Sequence, residues 1–183
     1  CEEVASRIIA PTLRQLAGQG TPFRGCLFAG LMVTDDGPRV LEFNARFGDP
    51  ETEVILPLLS EDLLPVLLAC ANGALPESRI IAPDGRHAAC VMIVSGGYPG
   101  ECRKGLPVTG RLTHLPEQTA LFHAGTAREG NGRLVTAGGR VLAATAFGDA
   151  TLAGAISRAY ELVEGVTFDG KRYRTDIGAK ALA

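Results

Sequence analysis

VLEFNARFGDPE, Val40 to Glu51, alternates apolar and polar side chains from Leu41 to Phe47 and then runs into Gly-Asp-Pro-Glu. On a β-strand successive side chains face opposite sides, so Leu41, Phe43, Ala45 and Phe47 share one face and Glu42, Asn44 and Arg46 the other. The first face is an ordinary core face. The second sets a carboxylate, an amide oxygen and a guanidinium in a row, about 7 Å per step. Such a row is either a solvated sheet face or a site. A carboxylate and an amide at i, i+2 offer hard oxygen ligands that suit Mg²⁺, which keeps waters and takes only one or two protein oxygens. Arg46 adds a fork of donors for phosphate or carboxylate. Asp49 and Glu51 have a structural alternative, capping a helix that begins at Pro50.

Working outward, GCLFAGLMV (Gly25–Val33) is nearly continuous in apolar residues and predicts a strand covered on both faces, joined through Thr34–Pro38 to a return strand over Arg39–Phe47. Upstream, Val4, Ile8, Ile9, Leu13 and Leu16 have helical spacing, with a kink expected at Pro11 and a stop at Gly18. Downstream, EVILPLL and DLLPVLLACANG predict two short helices, the second capped near Ser60 and ending at Gly73. A Pro- and turn-rich stretch at residues 74–85 marks a boundary. Beyond it HAACVMIVS, LPVTGRLTHL, ALFHAGTA, GRLVTAGG and GRVLAATAFG predict short strands, with a two-glycine turn at Gly138–Gly139. ATLAGAISRAYELVEGV predicts an amphipathic helix. The pattern is α+β on antiparallel strands, in two parts, residues 1–80 and 81–183.

At 183 residues, 46% hydrophobic and 21% charged, the chain has a globular balance. Its net charge of −2 gives no basis for a nucleic-acid or anionic-membrane partner, and no apolar run is long enough to span a bilayer. Five cysteines without zinc-like spacing point to a reducing, cytoplasmic setting. Cys1 leads straight into a helical pattern, without an initiator Met or signal peptide, and the expectation is a fragment of something longer. His87, His114 and His123 lack ligand spacing. SGGYPG (Ser95–Gly100) is either a tight turn or a cradle for phosphate or glycine. Lys171, Arg172 and Arg174 are either a solvated basic face or a phosphate contact.

RFGDPETE, with LEFN just before it, resembles the signature of the phosphoribosylamine–glycine ligase (glycinamide ribonucleotide synthetase) family of the ATP-grasp superfamily. FRGCLFAGLMVTDDGPRVLEFNARFGDPETE is similar to the last part of the family's ATP-grasp region. SGGYPG, KGLPVTG, FHAGT, GGRVLAATAFGD and FDGKRYRTDIG are similar to its C-terminal domain, in the family's order. The resemblance implies that residues 1–80 close the ATP-grasp domain and 81–183 form the C-terminal α+β domain. It places Glu42 and Asn44 at the metal-ligand positions, for Mg²⁺ or Mn²⁺. It places Arg46 at the catalytic position that contacts nucleotide phosphate or the acyl phosphate. The implied reaction joins glycine to 5-phosphoribosylamine with ATP as co-substrate, through glycyl phosphate, in de novo purine synthesis. Many ATP-grasp enzymes carry another metal carboxylate on the preceding strand, and GCLFAGLMV has no acid. The family also has more chain ahead of Cys1, including the lobe that covers ATP. This piece is therefore expected to hold one wall of the site and to be inactive alone. The alternative is a non-catalytic module that folds or associates with another chain.

Overall fold

The computed structural model describes residues 2–75 and 85–182, so most of the expected boundary at 74–85 lies outside the described residues. The chain divides into two compact units. The first comprises Cys1–Gly48 with Glu61–Ile80, the second Asp49–Ser60 with Ile81–Ala183.

In the first unit the leading helical segment is interrupted by a π-helical turn over Ala5–Ile9 before the α-helix Ala10–Gly18. The irregularity expected at Pro11 thus takes the form of a wide turn just upstream. Proline has no N–H for a bond to the carbonyl four residues back, and the Ala10 N–H bonds to the Ala5 carbonyl instead. β1 (Phe28–Thr34) and β2 (Gly37–Asn44) form an antiparallel two-stranded sheet. The expectation of a strand covered on both faces is not met: within this chain Met32 is 52% and Val33 82% exposed. Among the described residues of this unit no further strand pairs with them. The helix Leu63–Ala71 is capped by Asp62, whose carboxylate accepts from the Leu64 N–H at 2.9 Å. The cap is therefore two residues after Ser60. The helix stops before Gly73, whose φ of +68° favours glycine.

The second unit holds all the buried hydrophobic residues found among those described. Its main sheet has the order β3–β8–β5, all antiparallel, with β3 His87–Val94, β5 Thr119–His123 and β8 Arg140–Asp149. Alternate residues Ala89, Val91 and Ile93 of β3 join Ala155, Ile156, Ala159, Leu162 and Val163 of the helix Leu152–Glu164 in one core. Thr151 caps that helix by accepting from the Gly154 N–H. The short helical segment Thr52–Ile55 also contacts β3 and β8. β8 is buried continuously from Val141 to Ala146, as a central strand covered on both faces should be.

LPVTGRLTHL forms only the two-residue strand β4 (Thr109–Gly110), paired with β9 (Val166–Thr167). Gly110 has φ +106°, and a Cβ there would lie 2.0 Å from the Gly165 carbonyl oxygen, so the backbones meet too closely for an ordinary strand to continue. β6 (Thr126–Arg128) pairs with β7 (Leu134–Thr136). The Gly138–Gly139 turn therefore passes the chain from one sheet to another and does not close a hairpin.

Candidate functional site

The pairing of β1 with β2 sets Gly30 opposite Glu42 and Phe28 opposite Asn44, with Leu41 bulged out of register. Glu42 and Asn44 lie two residues apart beyond the bulge and keep a common face. The Asn44 side-chain amide donates to Glu42 Oε1 at 2.9 Å. Glu42 is exposed, Asn44 half-buried, and no cation forms an ion pair with Glu42 among the described residues. Glu42 and Asn44 thus meet on one strand face, with the Asn44 amide nitrogen turned to the carboxylate and Glu42 Oε2 and Asn44 Oδ1 as the hard oxygens left over. Two protein oxygens fit a magnesium-type ion that keeps its remaining positions for water and phosphate. Among the described residues no cluster of three or more His, Cys, Asp or Glu offers a fuller metal cage.

Gly30 escaped the sequence reading. A Cβ on it would lie 3.1 Å from Glu42 Cγ, so the glycine leaves the space across which the carboxylate lies. Cross-strand neighbours on one face are in direct contact, but only the register reveals this pair. Gly30→Ala is expected to displace the Glu42 side chain and weaken Mg²⁺ binding by about 10-fold, as loss of a supporting contact does elsewhere. A Mg²⁺ titration of this chain, followed by NMR on the Asn44 side-chain amide, checks it. An unchanged midpoint would remove Gly30 from the site.

Arg46 does not extend the row. β2 ends at Asn44, where its partner strand ends, and residues 45–46 form a bend. Without a neighbouring strand to fix its pleat, the chain turns. Arg46 is exposed, and its Nη1 donates to the Phe47 carbonyl at 2.8 Å. Its remaining N–H groups are available to an anion. The same unit has an apolar cavity of about 340 Å³ bordered by Phe47, Leu63, Leu67 and Cys70.

Asp49 is no helix cap. Helical structure begins at Thr52, and no side chain caps it. Arg140 Nη1 instead donates to the Asp49 carbonyl at 2.9 Å and meets its carboxylate at 3.1 Å, both within the second unit. Glu53, which ends RFGDPETE, keeps Oε2 buried with no hydrogen-bond partner. Burial pushes the Cys90 thiol up to about 11, and the carboxylates of Glu53 and Asp49 add to the shift. Cys90 is therefore a protonated core residue at neutral pH and no nucleophile.

SGGYPG is a tight turn. Three of its five N–H groups donate to carbonyls: Ser95 to Gly139 at 2.8 Å, Tyr98 to Ser95 at 3.2 Å and Gly100 to Gly97 at 2.8 Å. Ser95 is buried, and its hydroxyl donates to the Gly138 carbonyl. A Cβ on Gly139 would strike the Tyr98 ring at 2.4 Å, so the ring lies directly against that glycine. The three histidines are well separated; His114 and His123 bond to neighbouring threonines. The basic cluster splits by role. Lys171 donates to the Val163 and Val166 carbonyls, tying down the chain after the long helix. Arg174 makes a two-pronged pair with Asp176.

Comparison with known proteins places these features in a family. The model of the phosphoribosylglycinamide synthetase C domain matches residues 88–180, and that of the phosphoribosylglycinamide synthetase ATP-grasp (A) domain matches residues 1–52. The chain is 45% identical over 182 residues to the phosphoribosylamine–glycine ligase of Synechocystis, covering 99% of this chain and 43% of that protein. It is 43% identical over 185 residues to the trifunctional purine biosynthetic protein adenosine-3 of Homo sapiens, covering 99% of this chain and 18% of that one. A crystal structure of phosphoribosylamine–glycine ligase from Thermotoga maritima matches with TM-score 0.76 and 41% identity, over 90% of this chain and 40% of that one. The chain thus spans less than half the length of these relatives.

Proposed function

Because the chain belongs to the phosphoribosylglycinamide synthetase family, we propose that it is the C-terminal portion of an enzyme that ligates glycine to 5-phosphoribosylamine with ATP, giving glycinamide ribonucleotide, ADP and phosphate. Residues 1–80 then supply the end of the ATP-grasp domain and residues 81–183 the C-terminal domain, with Asp49–Ser60 packed in the second unit. The observation that carries the reading is the Glu42–Asn44 pair, bonded together on one strand face, inside a family match that runs along the chain. The enzyme works in a reducing, cytoplasmic setting with small-molecule substrates.

A carboxylate is a poor acyl donor because its leaving group would be oxide. In the proposed reaction a glycine carboxylate oxygen attacks the γ-phosphorus of ATP, the bond to ADP breaks, and glycyl phosphate forms. The amine of phosphoribosylamine then attacks the glycyl carbonyl, phosphate leaves, and the nitrogen loses a proton. Glu42 and Asn44 hold Mg²⁺ or Mn²⁺, which neutralises charge on the nucleotide phosphates. Arg46 offers its free N–H groups to the transferring phosphoryl group and then to the acyl phosphate, where negative charge gathers.

The relatives are more than twice as long, and an acyl phosphate needs a site closed to water. An enzyme of the relatives' full length that carries this chain is expected to release ADP in a manner dependent on both glycine and phosphoribosylamine. This chain alone is expected to release none. Substrate-dependent ADP release by the isolated chain would show that the remaining length is dispensable. Its absence from the full-length enzyme would overturn the ligase reading.

A further inference from the structure

The apolar cavity of the first unit, about 340 Å³, is walled by Phe47, by Leu63 and Leu67 of the helix Leu63–Ala71, and by two cysteines from separate parts of the chain. Cys26 lies just ahead of β1, and Cys70 in the last turn of that helix. Both are free thiols and both are half-buried, so a small molecule in the cavity can reach them. Burial pushes the Cys26 thiol up, and the charge of a Cys70 thiolate adds to the shift. That second contribution exists only because the two sulfur atoms are near each other. The one charged residue bordering the cavity is Arg24, and no carboxylate does, so the site offers a hard cation nothing.

The two thiols suit one kind of reagent more than others. A thiol pushed up in this way is a slow nucleophile, which disfavours peroxides and disulfides, because both react with the thiolate. A soft electrophile with two exchangeable positions is different. Sulfur is a soft ligand and prefers a soft acceptor. Once one cysteine is bonded, the other is already in the same cavity, at a high effective concentration. The apolar remainder of the wall has room for an aryl group carried by the acceptor.

We propose that Cys26 and Cys70 form a two-thiol site that chelates a trivalent organoarsenic, with its aryl group in the apolar cavity. With an arsenoxide, two As–S bonds form and the bonds from arsenic to oxygen break. The two thiol protons leave with that oxygen as water, and nothing is oxidised or reduced. Sequence alone gives two cysteines with no recognisable spacing. Only the packing of the helix Leu63–Ala71 beside the chain entering β1 brings them to one wall. The site is independent of the ligase reading.

The test uses this chain, reduced and then freed of reductant, with phenylarsine oxide as the probe. Intact-mass measurement is expected to show one arsenical per chain. The adduct should survive excess glutathione, a monothiol, and be removed by dithiothreitol, whose two thiols compete as a chelate. Alkylation and peptide mapping are expected to show Cys26 and Cys70 protected relative to the untreated chain, and Cys102 still alkylated; this readout needs no variant. Cys26→Ala and Cys70→Ala, each with its fold checked by circular dichroism, are expected to weaken retention against glutathione about 100-fold or more, the scale of advantage lost when two linked contacts become one. Cys102→Ala should change nothing. An adduct on the native chain that glutathione removes, protection of a different pair, a link between two chains, or equal retention by the single variants would overturn the proposal.

Discussion

Glu42→Ala, made in an enzyme of full length that carries this chain, is expected to lower kcat by about 10²–10³-fold, the usual cost of removing one preorganised charge-stabilising group. The reason is geometric. Glu42 and Asn44 are the two hard oxygens on their strand face, and the Asn44 amide already bonds to Glu42 Oε1. Without the carboxylate, Asn44 loses its orienting partner and, on the proposed function, its co-ligand. Glu42 is exposed, so thermal unfolding should move little, within about 0.5 kcal/mol for a surface change. Steady-state rates at saturating Mg²⁺, set beside a melting curve, separate the two effects. An unchanged rate would remove Glu42 from the chemistry, and a collapse of the fold would make it structural.

Ile93→Ala is expected to destabilise the second unit by about 2–5 kcal/mol. Ile93 is 0% exposed, opposite Leu142 in the register of β3 with β8, and belongs to the core shared with the long helix. Truncation leaves a cavity lined by neighbours held in three elements, which cannot all move in to fill it. The matched control is Leu64→Ala in the first unit. Leu64 reads as equally apolar in sequence, yet it is 69% exposed, and its loss should cost no more than about 0.5 kcal/mol. Urea unfolding of both variants checks the contrast. Comparable losses would mean that Leu64 is covered in solution.

That contrast bears on the first unit as a whole. Met32, Val33, Leu41, Phe43, Leu64 and Leu68 are all exposed, although their spacing is that of covered strands and helices. Apolar patterning records what a segment is suited to pack against, and burial records what this chain provides.

Local physics made much of the protein legible. Alternation along Leu41–Asn44 put Glu42 and Asn44 on one face, because strand geometry has a period of two whatever lies around it. Amphipathic spacing located the helix Leu152–Glu164, and strand patterning located β8, for similarly local reasons. The order of the segments along the chain identified the family. Where a strand ends is a different kind of question. Arg46 left the row because β2 stops where β1 stops pairing, and Gly30 faces Glu42 through a register that includes a bulge. Both depend on a partner strand. Other contacts depend on still longer connections. Arg140 meets Asp49 across 91 residues, and Cys26 and Cys70 border one cavity. Sequence by itself therefore determined most of the elements, the α+β class and the common face of Glu42 and Asn44. Tertiary structure alone decided which charges pair and which side chains converge on a cavity, because charge pairing and cavity walls are set by contacts between segments that no local period relates.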